Sequence, residues 1–211
     1  MTGKTRRIAI LAAVLAVLTG LLGVSCIDSD ARIGVNDDGS GSVELTYTIS
    51  PLVMNLGTLD EDDPVLPLPV SQNDFVRTVA GIPGLELGDY STREDEDGIH
   101  ITAELTFGTT EALNAFLGTG EGEFSLTRED GVDRFRYVIY DAPDEEISEE
   151  SVTLARDFFS QSSLRFDLDT PADVQSSTLG TISGNRRSIA LELNTAELII
   201  DNRDVIWEVT W

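Results

Sequence analysis

The 211-residue chain contains one cysteine, one histidine and one lysine, and these scarcities restrict its chemistry. Cys26 has no second cysteine with which to pair, so the fold cannot depend on disulfide bonds. Lys4 is close to the N-terminus, and the rest of the chain offers no lysine for Schiff-base chemistry. Because His100 is the sole histidine, the common sets of residues for nucleophilic catalysis are missing. We therefore expect no catalytic residue, no metal site and no cofactor.

Long hydrophobic runs are also scarce, and the longest lies near the N-terminus. A cationic start at residues 4–7 precedes an unbroken apolar run from Ile8 to Leu18. A positive start, a short apolar core and small residues at its end are typical of a secretory signal peptide, which we assign to residues 1–25. The apolar stretch over residues 8–24 is slightly short for a membrane span of about 20 residues.

The end of this segment, from Leu22 to Cys26, resembles the lipobox of bacterial lipoproteins. In that motif small residues precede a cysteine that receives lipid, and the peptide is cut before the cysteine. Gly23 stands where leucine is usual, as in the relaxed lipobox of spirochaetes. The resemblance implies lipid attachment to Cys26, a lipidated tether over residues 26–31, and a membrane-anchored protein of the cell envelope outside the cytoplasm. An uncleaved signal anchor with an incidental cysteine is the alternative.

The chain after the signal peptide is strongly acidic. Removal of residues 1–25 leaves 11 basic residues, all arginine, against 38 acidic ones, a formal net charge of −27. A charge this negative repels phosphate backbones and anionic lipid headgroups, so we expect no nucleic-acid partner. It favours solubility and tolerance of high salt, because screening reduces the self-repulsion of the folded chain.

An order of strand, acidic turn, strand and helix recurs three times, at intervals of about 45 residues. Apolar residues alternate with polar ones in these strands, which indicates that one face of each is buried. Glycines such as Gly39 supply the positive φ that tight hairpin turns need. The predicted hairpins pair residues 32–35 with 42–49, 85–91 with 99–107, and 123–127 with 134–140.

Helices are predicted after each hairpin. Ser71 caps a helix through Ala80, whose inward face would carry Phe75, Val76 and Val79. The remaining helices and strands follow the same reasoning and are predicted at residues 109–117, 148–159, 164–168, 178–183, 188–193, near 196, and 205–211.

These elements predict an α+β fold, in which an antiparallel sheet built from hairpins carries helices packed on one face. We expect a single domain over residues 32–211, and 141–150 is the best candidate for a subdivision. Residues 51–70, with the acidic run at 60–63, are predicted as a loop containing at most one helical turn.

His100 and the acidic turns are the remaining candidates for chemistry. His100 lies between the inward-facing Ile99 and Ile101, so alternation directs it to solvent or to whatever covers the opposite face. The acidic turn at residues 93–98 could attract cations weakly, but its ligand spacing is not that of an EF-hand. Carboxylate pairs could support a hydrolase, although no pair stands out among 38 acidic residues.

Two longer stretches resemble LppM-like bacterial lipoprotein domains. They are the run IGVNDDGSG at residues 33–41 and the strand, proline, valine and serine pattern at residues 164–177. The resemblance extends in order of elements over residues 27–193. Two features depart from it: the acidic loop after Pro51 is not typical of the family, and the C-terminal membrane helix of many members has no counterpart in this sequence. The resemblance implies an α+β envelope domain, proposed in some members to bind glycolipid, and no catalytic residues.

The expected function is therefore a non-enzymatic, lipid-anchored binding or scaffolding domain, with an apolar groove for a lipid or another envelope component. The alternatives are a structural or adhesive surface lipoprotein with a protein partner and, third, a carboxylate-dependent hydrolase. The sequence leaves the oligomeric state open.

Overall fold

The computed structural model describes residues 27–49, 69–118, 124–143 and 147–211, with the side chains of Ile27 and Phe158 excepted. Over these residues the chain forms an α+β fold with two sheets, which confirms the predicted class. The described elements are β1 (Ile27–Val35), β2 (Gly41–Ile49), α1 (Gln72–Ala80), β3 (Leu85–Asp95), β4 (Gly98–Phe107), α2 (Thr110–Leu117), β5 (Phe124–Glu129), β6 (Val132–Tyr140), α3 (Glu149–Phe159), β7 (Ser163–Asp169), β8 (Ser176–Ser177), β9 (Thr181–Ile182), β10 (Ser188–Asn194), α4 (Thr195–Asp201) and β11 (Val205–Thr210).

Several predictions fall outside these residues. The signal peptide, Cys26 and most of the loop predicted over 51–70, including its acidic run, are not among the described residues. Part of the candidate boundary at 141–150 is likewise outside them. The signal peptide, the lipid attachment and the domain division therefore stay predictions.

The large sheet has seven strands in the order β3-β4-β2-β1-β7-β10-β9. Two of the predicted hairpins, β1–β2 and β3–β4, lie side by side in it, and the third forms β5–β6 of the other sheet. A parallel pairing joins β1 to β7, with Ser29 opposite Leu164 and Ile33 opposite Leu168. The parallel pair links segments far apart in the chain, so periodicity along either strand gave no sign of it.

The first strand begins earlier than the sequence indicated. We expected a tether over residues 26–31, but residues 27–31 belong to β1, where Ile27 lies opposite Ile49 and Ser29 opposite both Tyr47 and Leu164. The aspartates in this stretch lower its intrinsic strand preference. Pairing on both sides supplies the backbone hydrogen bonds that override this preference, so the tether prediction was wrong for these residues.

The small sheet has four strands in the order β5-β6-β11-β8. The strand predicted over residues 178–183 is shortened to β9, which joins the edge of the large sheet, while β8 lies just before that range and joins the small sheet. Gly180, with a φ of +82°, lies between the two strands and gives the chain a turn that L side chains rarely adopt. The segment thus passes from one sheet to the other.

One face of the large sheet, here called the inner face, is apolar and buried. The small sheet packs against it, since the Phe166 ring of β7 lies 5.6 Å from the Tyr137 ring and 6.1 Å from the Trp207 ring between centroids. Phe75 of α1 covers another part of the inner face, and its ring centroid lies 5.6 Å from that of Tyr90 on β3. The buried residues of the inner face are Ile33, Val35, Val43, Tyr47, Ile49, Leu85, Ile101, Ala103, Leu105, Phe107, Leu164, Phe166, Leu168, Ile189 and Leu191.

Helix α1 is fixed at its start by Ser71, the cap that the sequence predicted, together with Asp74. Ser71 accepts a hydrogen bond from the Asp74 amide, and the Asp74 carboxylate accepts one from the Ser71 amide at 2.8 Å. This capping box lowers the pKa of Asp74 to about 2, chiefly through the hydrogen bond from the Ser71 hydroxyl. Phe75 is buried, whereas Val76 is 47% exposed, so its predicted place on the inward face was wrong.

The helices of the second half lie close to one another. Helices α3 and α4 pack together, with Ala155, Leu198 and Ile199 buried and Leu154 46% exposed. Within the described ranges no helix combines the length and the apolar composition that a membrane crossing requires.

Candidate functional site

One end of the large sheet is the end at which β1 begins. This end, called the Ile27 end, includes the row in which Ile27, Ile49 and Ile99 lie opposite one another. The Ser163 amide donates to the Asp28 carboxylate at 3.0 Å, which fastens β7 to the same end. Cys26, the predicted lipid site, is covalently bonded to Ile27 but lies outside the described residues.

The face opposite the inner one, called the outer face, is polar. Its residues alternate with the buried set along every long strand, as expected for an antiparallel sheet with one wet face. Cross-strand pairs of hydroxyls run across it, for example Thr46 and Thr102 with 3.4 Å between their oxygens. Arginines on this face meet carboxylates, including Arg32 with Asp169 at 3.0 Å. The outer face of the four central strands carries Asp28, Asp30, Arg32, Ser42, Glu44, Thr46, Thr48, His100, Thr102, Glu104, Thr106, Arg165, Asp167 and Asp169.

His100 lies on the outer face, as alternation predicted, but its side chain is only 27% exposed. Its Nδ1 is 2.9 Å from the Thr48 hydroxyl across the strand pair, and its Nε2 is 2.8 Å from Asp95. Asp95 also meets Arg93 at 3.0 Å. The hydrogen bond from His100 lowers the pKa of Asp95, with the Asp97 amide acting in the same direction.

Hydroxyl, imidazole and carboxylate stand in the order found in hydrolase triads, but the contacts are reversed. In Ser-His-Asp enzymes the hydroxyl meets Nε2 and the carboxylate meets Nδ1. Here Thr48 meets Nδ1 and Asp95 meets Nε2. Both ring nitrogens are thus engaged by neighbours on β2 and β3. The arrangement can clamp three strands together near the Ile27 end.

The centre of the outer face brings like charges together. Glu44 and Glu104 lie directly opposite each other on β2 and β4, a placement that costs stability in an antiparallel pair. Burial raises the pKa of Asp30, and the Asp167 carboxylate raises it further, while Arg165 at 3.8 Å lowers it. Residue spacing alone could not have found this cluster, because its members come from four separate strands.

The acidic turns are ordinary hairpin turns where the structure describes them. The predicted turn at 93–98 shrinks to Glu96 and Asp97, since Asp95 is already paired with Gly98. In the β1–β2 turn the Asp38 carboxylate accepts hydrogen bonds from Ser40, chiefly from its hydroxyl, and these lower the pKa of Asp38. Among the described residues no group of three or more histidine, cysteine, aspartate or glutamate side chains is arranged to hold a metal ion.

Two of the open clefts on the surface of the described residues have volumes of about 480 and 430 Å³. The first lies beside β9 and β10 and includes Arg165 and Glu192. The second lies beside β3 and β4 and includes Glu44, Asp89 and Glu104. Neither has the apolar lining expected of a groove for an acyl chain. Between the sheets, large side chains such as Trp207 and Phe135 fill the space, with ring centroids 5.0 Å apart.

Comparisons with known proteins give one structural match. No family model matches the chain, and no curated protein matches it either. The NMR structure of the folded domain of Mycobacterium tuberculosis LppM aligns with 88% of this chain and 89% of its own, at 13% sequence identity and a TM-score of 0.47. At these values the match does not establish membership of a family, and the resemblance stated from the sequence stays a prediction.

Proposed function

We propose that this chain is a lipoprotein of the bacterial cell envelope, anchored by lipid on Cys26, with a non-enzymatic domain that binds or scaffolds an envelope component outside the cytoplasm. The observation that carries the proposal is the start of β1. Ile27 follows Cys26 directly and is already paired in the sheet. Lipid on Cys26 would therefore hold the folded domain at the membrane surface without a spacer.

The anchor is tested by phase partitioning of the exported protein. Cys26→Ala should move the protein from the detergent phase to the aqueous phase, because several acyl chains are needed for stable attachment and none would remain. Ser25→Ala keeps a small residue before the cysteine and should partition like the wild type. If Cys26→Ala stays in the detergent phase as firmly as the wild type, the chain is an uncleaved signal anchor instead.

Binding through polar contacts is supported by the outer face and the open clefts. Charged and hydroxyl side chains make up most of the second cleft and half of the first, whereas the space between the sheets is filled by buried side chains. These features favour recognition of a polar group, such as a lipid headgroup, over enclosure of an acyl chain. Native mass spectrometry of the Cys26→Ala protein should show a bound species of fixed mass, and unliganded protein alone would contradict binding of a small envelope component.

A protein partner is the second candidate, and the edge of the large sheet favours it. Among the described strands β3, with eleven residues, is at the edge of the large sheet, so its outward side could pair with an added strand. Chemical cross-linking in intact cells, followed by identification of a stoichiometric partner joined through β3, would favour this function. Cross-links scattered evenly over the surface would argue against it.

Absence of catalysis is part of the proposal and rests on His100. Both of its ring nitrogens are engaged within the sheet, so neither is directed at an approaching substrate. A panel of ester and glycoside substrates should show no turnover above that of the His100→Asn variant. Turnover that His100→Asn abolishes would contradict the proposal and restore a hydrolase function.

A further inference from the structure

We propose that the Ile27 end of the large sheet faces the membrane, so that the Glu96–Asp97 turn and residues 160–162 are the described parts nearest to the lipid headgroups. This inference rests on the lipid anchor at Cys26 proposed above. It adds an orientation that the anchor alone does not give, because a long tether would have let the domain turn freely.

The short connection between lipid and sheet is the first step. Consecutive Cα atoms are about 3.8 Å apart, so a lipidated Cys26 lies within one residue of the sheet. Ile27 pairs with Ile49, and Ser29 pairs with Leu164 on the other side. β1 is the middle strand of the seven and cannot swing away from its neighbours without breaking both ladders.

The strand register shows which groups share that end. Ile49 lies opposite Ile99, and Gly98 is paired with Asp95 one residue further out, so Glu96 and Asp97 project beyond the row of Ile27. They are two to three strand spacings from β1, or about 10–14 Å.

On the other side of β1, the connections around β7 lie at the same end. The Thr195 amide donates to the Ser162 carbonyl at 3.0 Å, and the Asn194 side chain donates to the Ser160 carbonyl at 3.1 Å. Residues 160–162 and the start of α4 therefore lie beside the Ile27 end.

The opposite end is about 30 Å away, since β1 has nine residues with a rise of about 3.3 Å each. The β1–β2 turn lies there, and Arg128 donates to the Asp37 carbonyl at 3.2 Å, which brings the β5–β6 turn to the same end. Ser188 is paired with Asp169, and Asp169 lies opposite Gly34, so the loop that contains Gly184 is also at this far end.

Charge decides which membrane the Ile27 end can approach. Four consecutive acidic residues, 94–97, stand at this end with Arg93 beside them. Anionic headgroups would repel such a turn, with a range set by the Debye length of about 8 Å at physiological ionic strength. The partner surface is therefore a zwitterionic bilayer.

The orientation is tested with a fluorophore at one introduced cysteine in the lipidated, full chain. Cys26 is the sole native cysteine and would be blocked by lipid, so Glu96→Cys, Gln161→Cys and Gly184→Cys would each be labelled at one position. All three positions are exposed, and a side chain at Gly184 would meet no atom within 4 Å. In phosphatidylcholine vesicles with a headgroup quencher, Glu96→Cys and Gln161→Cys should be quenched several-fold more than Gly184→Cys.

Equal quenching at the three positions, or stronger quenching at Gly184→Cys, would overturn the orientation. Flotation with the vesicles distinguishes a wrong orientation from the absence of a lipid anchor at Cys26. Protein that floats but shows equal quenching refutes the orientation alone. Protein that does not float, and whose wild-type form accepts the label at Cys26, refutes the anchor and with it the inference. The two positions at the Ile27 end check each other if one variant unfolds.

Discussion

The inner and outer faces of the large sheet are built by the same strands, yet they meet different surroundings. Leu105 on the inner face is fully buried, while its neighbour Thr106 on the outer face is exposed. The inner face contacts rings of the small sheet and of α1, whereas the outer face pairs arginines, carboxylates and hydroxyls with one another. Stability of the described fold is therefore concentrated on one face, and the groups available to a partner are on the other.

The largest expected effect is on the inner face. Leu105→Ala should lower the free energy of unfolding by about 2–5 kcal/mol, because it removes buried methyl groups and leaves a cavity. Thr106→Ala, one residue away on the outer face, should cost about 1 kcal/mol or less. Urea denaturation of both variants checks the contrast, and equal losses would show that the two faces do not differ in stability as described.

The next largest effect on stability is expected at Gly41, where the backbones of β1 and β2 approach closely. A Cβ at Gly41 would lie 1.9 Å from the Gly34 carbonyl oxygen and 2.4 Å from the Phe107 ring. Gly41→Ala should therefore destabilise the fold by about 1–3 kcal/mol or more through forced shifts of β1 and β2. Gly184→Ala has open space and should change stability by about 0.5 kcal/mol or less. A melting temperature for Gly41→Ala equal to that of Gly184→Ala would contradict the packing.

The cap that holds α1 over the inner face should depend on pH. The folded pKa of Asp74 is about 2, below the ordinary value of 3.8, so its stabilisation is present above pH 4 and is lost as pH falls toward 2. Its side chain is near one-third exposed, so we expect the charge to contribute about 1–2 kcal/mol. Asp74→Asn should lose this amount at pH 7.

The difference between Asp74→Asn and the wild type should shrink when unfolding is measured by urea titration toward pH 2. Asp89→Asn on the exposed part of β3 is the control, and we expect its stability to follow the wild type throughout. A penalty for Asp74→Asn that stays constant from pH 7 to pH 2 would show that the carboxylate charge is not the cause.

The smallest effect tests the outer face. Glu44→Gln should raise the free energy of unfolding by about 0.5 kcal/mol or less, because it relieves repulsion from Glu104. The gain should vanish in 1 M salt, where the Debye length is about 3 Å. Glu192→Gln removes a carboxylate 3.3 Å from Arg165 and should give no gain. Equal gains for both variants at low salt would attribute the effect to net charge rather than to the cross-strand pair.

Local patterns in the sequence predicted most elements correctly because their causes are local. Alternation from Val43 to Ile49 gave β2, and Ser71 as a capping residue gave the start of α1. Where contacts with another segment of the chain decide the local structure or burial, the same patterns gave wrong predictions. Residues 27–31 were expected to be a tether, and Val76 was expected to be buried, because neither pairing partners nor the extent of a helix's cover can be read from spacing.

The candidate site divides in the same way. The position of His100 on the polar face followed from alternation, but its contacts with Thr48 and Asp95 depend on the register of three strands. The cluster of Glu44, Glu104, Asp30 and Asp167 could not be predicted either, since it spans the four adjacent strands β4, β2, β1 and β7.

By itself the sequence determined the α+β class, three hairpins, the helix starts and the alternation that makes one sheet face apolar, because turns, caps and period-two patterns act over a few residues. Only the tertiary structure decided that the strands divide between two sheets and that β7 pairs in parallel with β1. It also brought the first strand to within one residue of Cys26. These features depend on contacts between segments far apart in the chain, where side-chain packing rather than local preference selects the partner.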